Sequence, residues 1–201
     1  MEIQILGAHQ LELKGTRLTS LLIDGTLVVD AGGLTCALSL SEQKKIKTVL
    51  LTHHHFDHTR DLVTLAANAG YYWRGQVVVY ALPYTLDIVT TCLLDGKIYA
   101  NFLEYPSKEK PTLILEAIEP YSRKTIAGYN VLAVPENIPY LLLAIKLPLR
   151  MVKACFTPAI PQWEYLIAGI MFSLSCLLLE LSGPISMEIG SRKLGIFVHG
   201  F

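Results

Sequence analysis

The sequence predicts an α/β domain over residues 1–135, followed by a tail, residues 136–201, of different character. Three observations lead there. Short apolar runs of strand length alternate with segments of helical periodicity, as in chains that build a largely parallel sheet. The run "KTVLLTH" (47–53) is continuously apolar, the pattern of a strand buried on both faces. That run empties straight into "HHFDHTRDL", a cluster of metal-binding side chains ahead of a predicted helix.

The elements follow in order. "EIQIL" (2–6), "TSLLID" (19–24) and "TLVVDAG" (26–32) are β-rich, the last two parted by a glycine turn at Gly25. "ALSLSEQKKI" (37–46) mixes apolar and polar positions at helical spacing. After strand 47–53, "DHTRDLVTLAANAG" (57–70) puts Leu62, Leu65 and Ala66 on one helical face, with Gly70 predicted to stop it. "GQVVVYAL" (75–82) is the next strand, then a helix from about Tyr84 to Leu94, ended by Asp95-Gly96. "TLILEAIE" (112–119) and "YNVLAVP" (129–135) are strand-like. No internal repeat interrupts the series.

Composition narrows the function classes. Lys+Arg and Asp+Glu both number 17, so no basic field suggests nucleic acid. Cys36, Cys92, Cys155 and Cys176 form no CxxC pair, which favours reduced thiols and a cytoplasmic setting. The N-terminus lacks the basic-then-apolar pattern of a signal peptide. "LIAGIMFSLSCLLL" (166–179) is nearly uncharged but shorter than the ~20 residues a bilayer requires, so a membrane association through residues 165–181 ranks as a minor alternative.

The chemistry concentrates in "THHHFDH" (52–58). His53 and His55 lie two apart in a chain leaving a strand, so their side chains project to the same side. Asp57 and His58 follow at the mouth of the next helix. Four donors therefore converge at the carboxyl end of a buried strand, where open α/β sheets place their sites. Imidazole and carboxylate suit zinc, iron or manganese alike. His54 should point away toward solvent, and His9 reads as structural or exposed.

At these residues the sequence resembles the metallo-β-lactamase superfamily. "THHHFDH" fits its HxHxDH signature, and "LLIDGTLVVDAGG" (21–33) resembles its upstream strand pair. The resemblance covers residues 1–135 and is nearest to the branch of ribonuclease Z and the class II cyclic-nucleotide phosphodiesterases. It implies the N-terminal half of an αββα sandwich with a hydrolytic site at one edge. It implies two zinc ions per site, with manganese or iron as alternatives. His53 and His55 would bind the first, Asp57 and His58 the second. Asp57 would also orient the attacking hydroxide, and Asp30 would support the metal loop from a buried position. Paired cations about 3.5–4 Å apart activate a bridging water and clamp the oxygens of a phosphodiester or related ester. The implied substrate is a small-molecule or nucleotide ester.

Such a site needs three further ligands downstream. Residues 136–201 hold one histidine, His199, and no aspartate. A frame displaced by one base accounts for this. Across Asn137–Ile138 the displaced codon encodes only His or Tyr, and its neighbours permit "EHTVP". Across Phe156–Pro161 the frame permits "YTGDT", and across Lys193–Phe197 it permits "AGHL". Glycine is forced across Met151–Val152, Trp163–Glu164 and Met187–Glu188, in turn-like contexts. The tail therefore reads first as an out-of-frame translation, second as a divergent domain of its own and third as the membrane segment, with His199 incidental. Two functional readings follow: a metallo-hydrolase, and a non-catalytic remnant that holds at most one metal weakly.

Overall fold

A computed structural model describes residues 2–135, 141–146, 153–156, 183–189 and 192–198. Its largest element is a seven-stranded sheet. β1 (Glu2–Gly7), β2 (Ser20–Ile23) and β3 (Leu27–Val29) form an antiparallel meander. β4 (Thr48–Leu50), β5 (Val77–Ala81) and β8 (Leu113–Ala117) extend it in parallel, and β12 (Lys153–Phe156) runs parallel to the other edge of β1. Between β5 and β8 lies a two-strand clip, β6 (Pro106–Ser107) and β7 (Lys110–Pro111). β9 (Arg123–Ile126), β10 (Tyr129–Pro135) and β11 (Leu141–Lys146) make a separate antiparallel sheet. β13 (Gly183–Ile189) pairs with β14 (Arg192–Val198). This mixed architecture agrees with the predicted α/β class.

The run read as a doubly buried strand is so, and β2 and β3 share its burial. Leu22, Val28 and Val49 face one core, with Leu62, Leu65 and Ala66 of α3 (Phe56–Asn68). Their neighbours Leu21, Ile23, Leu27, Val29 and Leu50, on the opposite face by strand alternation, are equally buried. The smaller sheet lies against that second face. Lys124 of β9 sits 4.8 Å over the Tyr80 ring of β5 and pairs with Glu116 of β8. The Tyr129 hydroxyl of β10 donates to Asp24 in the β2–β3 turn. That turn is left-handed at Asp24 (φ 46°) and Gly25 (φ 69°), the conformation an Asp-Gly pair favours between antiparallel strands. The Asp24 carboxylate also accepts the backbone N–H of Glu2 at 2.6 Å.

Two predicted helices differ from expectation. Of the expected helix 37–46 only α2 (Leu40–Gln43) is helical; a separate turn of helix, α1 (Leu34–Ala37), precedes it and ends at the segment's first residue. Ser39 explains the break: its side chain accepts from the Glu42 N–H while the Glu42 carboxylate accepts from the Ser39 N–H, so a helix starts anew at Leu40. α3 ends at Asn68, and Gly70 is not a helix stop. The chain continues through a wide turn, Ala69–Trp73, and ends at left-handed Arg74. Gly70 instead permits a close approach: a Cβ there would lie 3.0 Å from the Tyr105 ring. The next helix, α4 (Pro83–Ile88), likewise runs into a wide turn, Val89–Leu93, before Asp95-Gly96. β9, β6 and β7 were not predicted, because "RKTI" and the dipeptides carry too little apolar patterning.

Among the described residues, no helix is long and apolar enough to cross a membrane. The membrane alternative, residues 165–181, lies outside the described residues, as do His199 and most of the positions that carry the frame displacement.

Candidate metal centre

β4 ends at Leu50, and the loop Leu51–His55 carries the chain to α3, whose first turn holds Asp57 and His58. A second loop, Asp30–Gly33, leaves β3 alongside and is stitched to the first. Asp30 N–H donates to the Leu50 carbonyl at 2.8 Å, Ala31 N–H to that of His58 at 2.7 Å, and Asp61 N–H to that of Ala31 at 2.7 Å. At Gly32 the loops touch: a Cβ would fall 1.9 Å from the Asp57 carbonyl oxygen and 2.7 Å from that of Thr19. The glycine of "DAGG" is thus a steric requirement of the loop that presents Asp57.

Asp30 is 2% exposed and has a left-handed backbone (φ 58°), a strained state that aspartate tolerates better than most residues. Its carboxylate accepts from the Thr52 N–H (2.8 Å), the Thr52 hydroxyl (2.8 Å) and His58 Nδ1 (2.7 Å). On the far side of the His58 ring, Nε2 lies 3.3 Å from Asp57 Oδ2. Burial alone would push the His58 pKa down, but the charge of Asp30, its hydrogen bond and Asp57 together outweigh it and raise the pKa.

His53 is buried beside it, the ring centroids 4.0 Å apart. Burial, assisted by the neighbouring His58, lowers its pKa to about 4, so His53 is neutral at physiological pH. Its ring centroid is 4.7 Å from that of His55, which is exposed at the α3 N-cap. The structure therefore sets His53 beside His55 and His58, and His58 between Asp30 and Asp57.

His54 departs from expectation. It is half-buried, not solvent-facing, edge-on to Tyr84 with centroids 5.5 Å apart, and its Nδ1 is buried without a hydrogen-bond partner. The strand has already ended at Leu50, so strand alternation no longer sets side-chain direction, and α4 brings Tyr84 over the loop. His9 is structural, with Nδ1 3.2 Å from the Arg17 carbonyl oxygen.

Sequence reasoning missed Thr52 and Asp61. Asp61 is buried and accepts from the Thr35 N–H (2.7 Å) and hydroxyl (2.8 Å), so it caps the start of α1. Arg60 binds Asp61 and reaches Glu12, tying the β1–β2 loop to α3. The signal for Asp61 was a charged residue inside the apolar stretch of a helix that must be buried.

The donor set is right in kind for a divalent cation: neutral His53, exposed His55, and Asp57 beside the Nε2 of a His58 anchored through Nδ1. As they stand, however, no three or more His, Cys, Asp or Glu side chains among the described residues are drawn together closely enough to hold an ion.

Residues 19–83 match the family model of the metallo-beta-lactamase superfamily, a span from β2 to the start of α4 that contains both loops. No curated protein matches the chain. Among solved structures, the fold resembles unliganded yeast PDE1, with TM-score 0.55 and 15% identity over 72% of this chain and 61% of that one. It also resembles the metallo-beta-lactamase fold protein YhfI from Bacillus subtilis, with TM-score 0.53 and 16% identity over 72% of this chain and 56% of that one. The chain spans less than two thirds of either protein. The resemblance stated from the HxHxDH loop is thereby shown, and the N-terminal part of the chain has the metallo-β-lactamase fold.

Proposed function

We propose that this chain, whose N-terminal part has the metallo-β-lactamase fold, represents a cytoplasmic metal-dependent hydrolase of phosphodiesters or related small-molecule or nucleotide esters. The observation that carries the proposal is the Asp30–His58–Asp57 arrangement. A buried carboxylate holds Nδ1 of His58, and the other ring nitrogen sits 3.3 Å from a second carboxylate at the mouth of the loop. His53, His55, Asp57 and His58 would hold zinc, or manganese or iron in its place. When bound, such a cation supplies an acidified water and an electrophile for the ester oxygens. Asp57 orients the attacking water and accepts its proton at Oδ. Asp30 keeps the His58 Nδ1–H committed, so that Nε2 faces the mouth.

The sequence favours a second reading for the polypeptide as translated. Residues 136–201 contain a single histidine and no aspartate, whereas the frame displaced by one base restores "HTVP", "YTGDT" and "GHL". We read the tail as out of frame and the chain as an impaired remnant that binds at most one metal weakly, since a catalytic zinc needs three protein donors. Purified protein assayed against bis(p-nitrophenyl) phosphate with added zinc or manganese separates the two. Turnover that depends on metal and disappears in Asp57→Ala supports the hydrolase and refutes the remnant. No turnover, with one loosely held ion, supports the remnant.

A further inference from the structure

The Thr52 hydroxyl stands at the centre of the buried polar cluster. Its oxygen lies 2.8 and 3.0 Å from the two Asp30 oxygens, 3.0 Å from His53 Nδ1 and 3.4 Å from His58 Nδ1. A hydroxyl has one proton to give and two lone pairs to accept with. A carboxylate only accepts, so the short contact to Asp30 takes the Thr52 proton. His58 Nδ1, at 2.7 Å from Asp30, must likewise be the donor of its own bond. The proton between Thr52 and His53 then has one source left, the ring. His53 Nδ1–H donates to Thr52, and the Nε2 lone pair faces the opposite side of the imidazole.

We infer that Thr52 is a positioning residue that selects the Nδ1–H tautomer of His53, as Asp30 fixes the Nδ1–H of His58. One carboxylate thereby sets two imidazoles, directly for His58 and through a hydroxyl relay for His53. Imidazole in water favours the opposite tautomer, Nε2–H, so the arrangement is imposed by the protein. Thr52 is 2% exposed, and its N–H also donates to Asp30, which fixes the hydroxyl against rotation out of the relay. The inference rests on the metal-donor reading only for its purpose; the tautomer itself belongs to the metal-free chain.

The test uses the full chain, free of metal and labelled with nitrogen-15 in its histidines. Long-range proton–nitrogen correlations report which ring nitrogen carries the hydrogen. His53 is expected in the Nδ1–H form in the wild type and in Thr52→Ser, which retains the hydroxyl. Thr52→Val, similar in shape, is expected to release it toward Nε2–H and to weaken cobalt(II) binding by about 10–100-fold, the usual effect of losing an outer partner of a ligand. Wild-type His53 found as Nε2–H overturns the inference even if the valine variant fails to fold. So does a folded Thr52→Val with unchanged tautomer and unchanged cobalt affinity. If the tautomers are as assigned but wild type takes up no cobalt, the relay stands and the metal-centre reading falls.

Discussion

Individual residues at the loop mouth set opposing pH responses. His53 has a folded pKa depressed to about 4 against an ordinary 6.5, so between those values the unfolded chain binds the extra proton and stability falls as pH falls. His58 has a raised pKa, so its contribution is complete below 6.5 and is lost as pH rises through the folded value. The metal-free protein should be most stable near pH 6.5. Urea unfolding across pH 4.5 to 8.5 checks this: His53→Asn should flatten the acid limb and His58→Asn the alkaline one. Gly32 is the other residue whose replacement has a steric answer. In Gly32→Ala a methyl group meets the Asp57 carbonyl at 1.9 Å, a gap no side-chain rotation relieves. The two loops must separate, at an expected cost of about 2–4 kcal/mol in the range of overpacked or strained sites, read as a lower urea midpoint with unchanged slope.

Among the elements, sequence patterning found the strands that carry a continuous or alternating apolar run. β2, β3 and β4 lie within the runs named in advance and are buried on both faces, because a central strand has no solvent face on which to place polar residues; β5 lies within its run too but is half-buried on one face. The loop site was legible for a different reason. HxHxDH after a strand is a chemical pattern, and His53 lies beside His55 and His58 although the chain around His53 is not strand, as first reasoned. What escaped was set by single side chains acting across the fold. Ser39 and Glu42 start α2 three residues later than expected, and the chain coils on past Gly70 in the wide turn after α3, where the glycine answers to Tyr105. Thr52 was passed over because a lone threonine beside four charged or imidazole donors carries no pattern of its own. The Ser39 cap is testable: Ser39→Ala should lower stability by about 1 kcal/mol and leave cobalt binding unchanged, since the bonds it loses run between Ser39 and Glu42. A loss of binding in that variant would mean that α2 positions the loop.

For the whole molecule, the decisive question is the span beyond Pro135. The αββα architecture covers each sheet with the other and with helices, and the frame reading removes the sequence meant to complete that cover. Exposed strand edges and apolar surface then favour association. The chain as translated is expected to unfold over a broad range and to aggregate on heating, seen by calorimetry and light scattering. A sharp, reversible transition at high temperature would count against it. Sequencing the gene around the Pro135 codon, with the intact mass of the product, tests the displacement itself: a continuous frame as written would retire the remnant reading.

The bond from Tyr129 to Asp24 joins the smaller sheet to the turn of the larger one. Burial, the hydrogen bond and the adjacent carboxylate all raise the pKa of that phenol. This phenol should therefore show phenolate absorbance late as alkali is added. Its lag is a built-in optical gauge: it persists while the two layers are docked and vanishes, in Asp24→Asn or in a chain whose second layer has come away, without any label being attached.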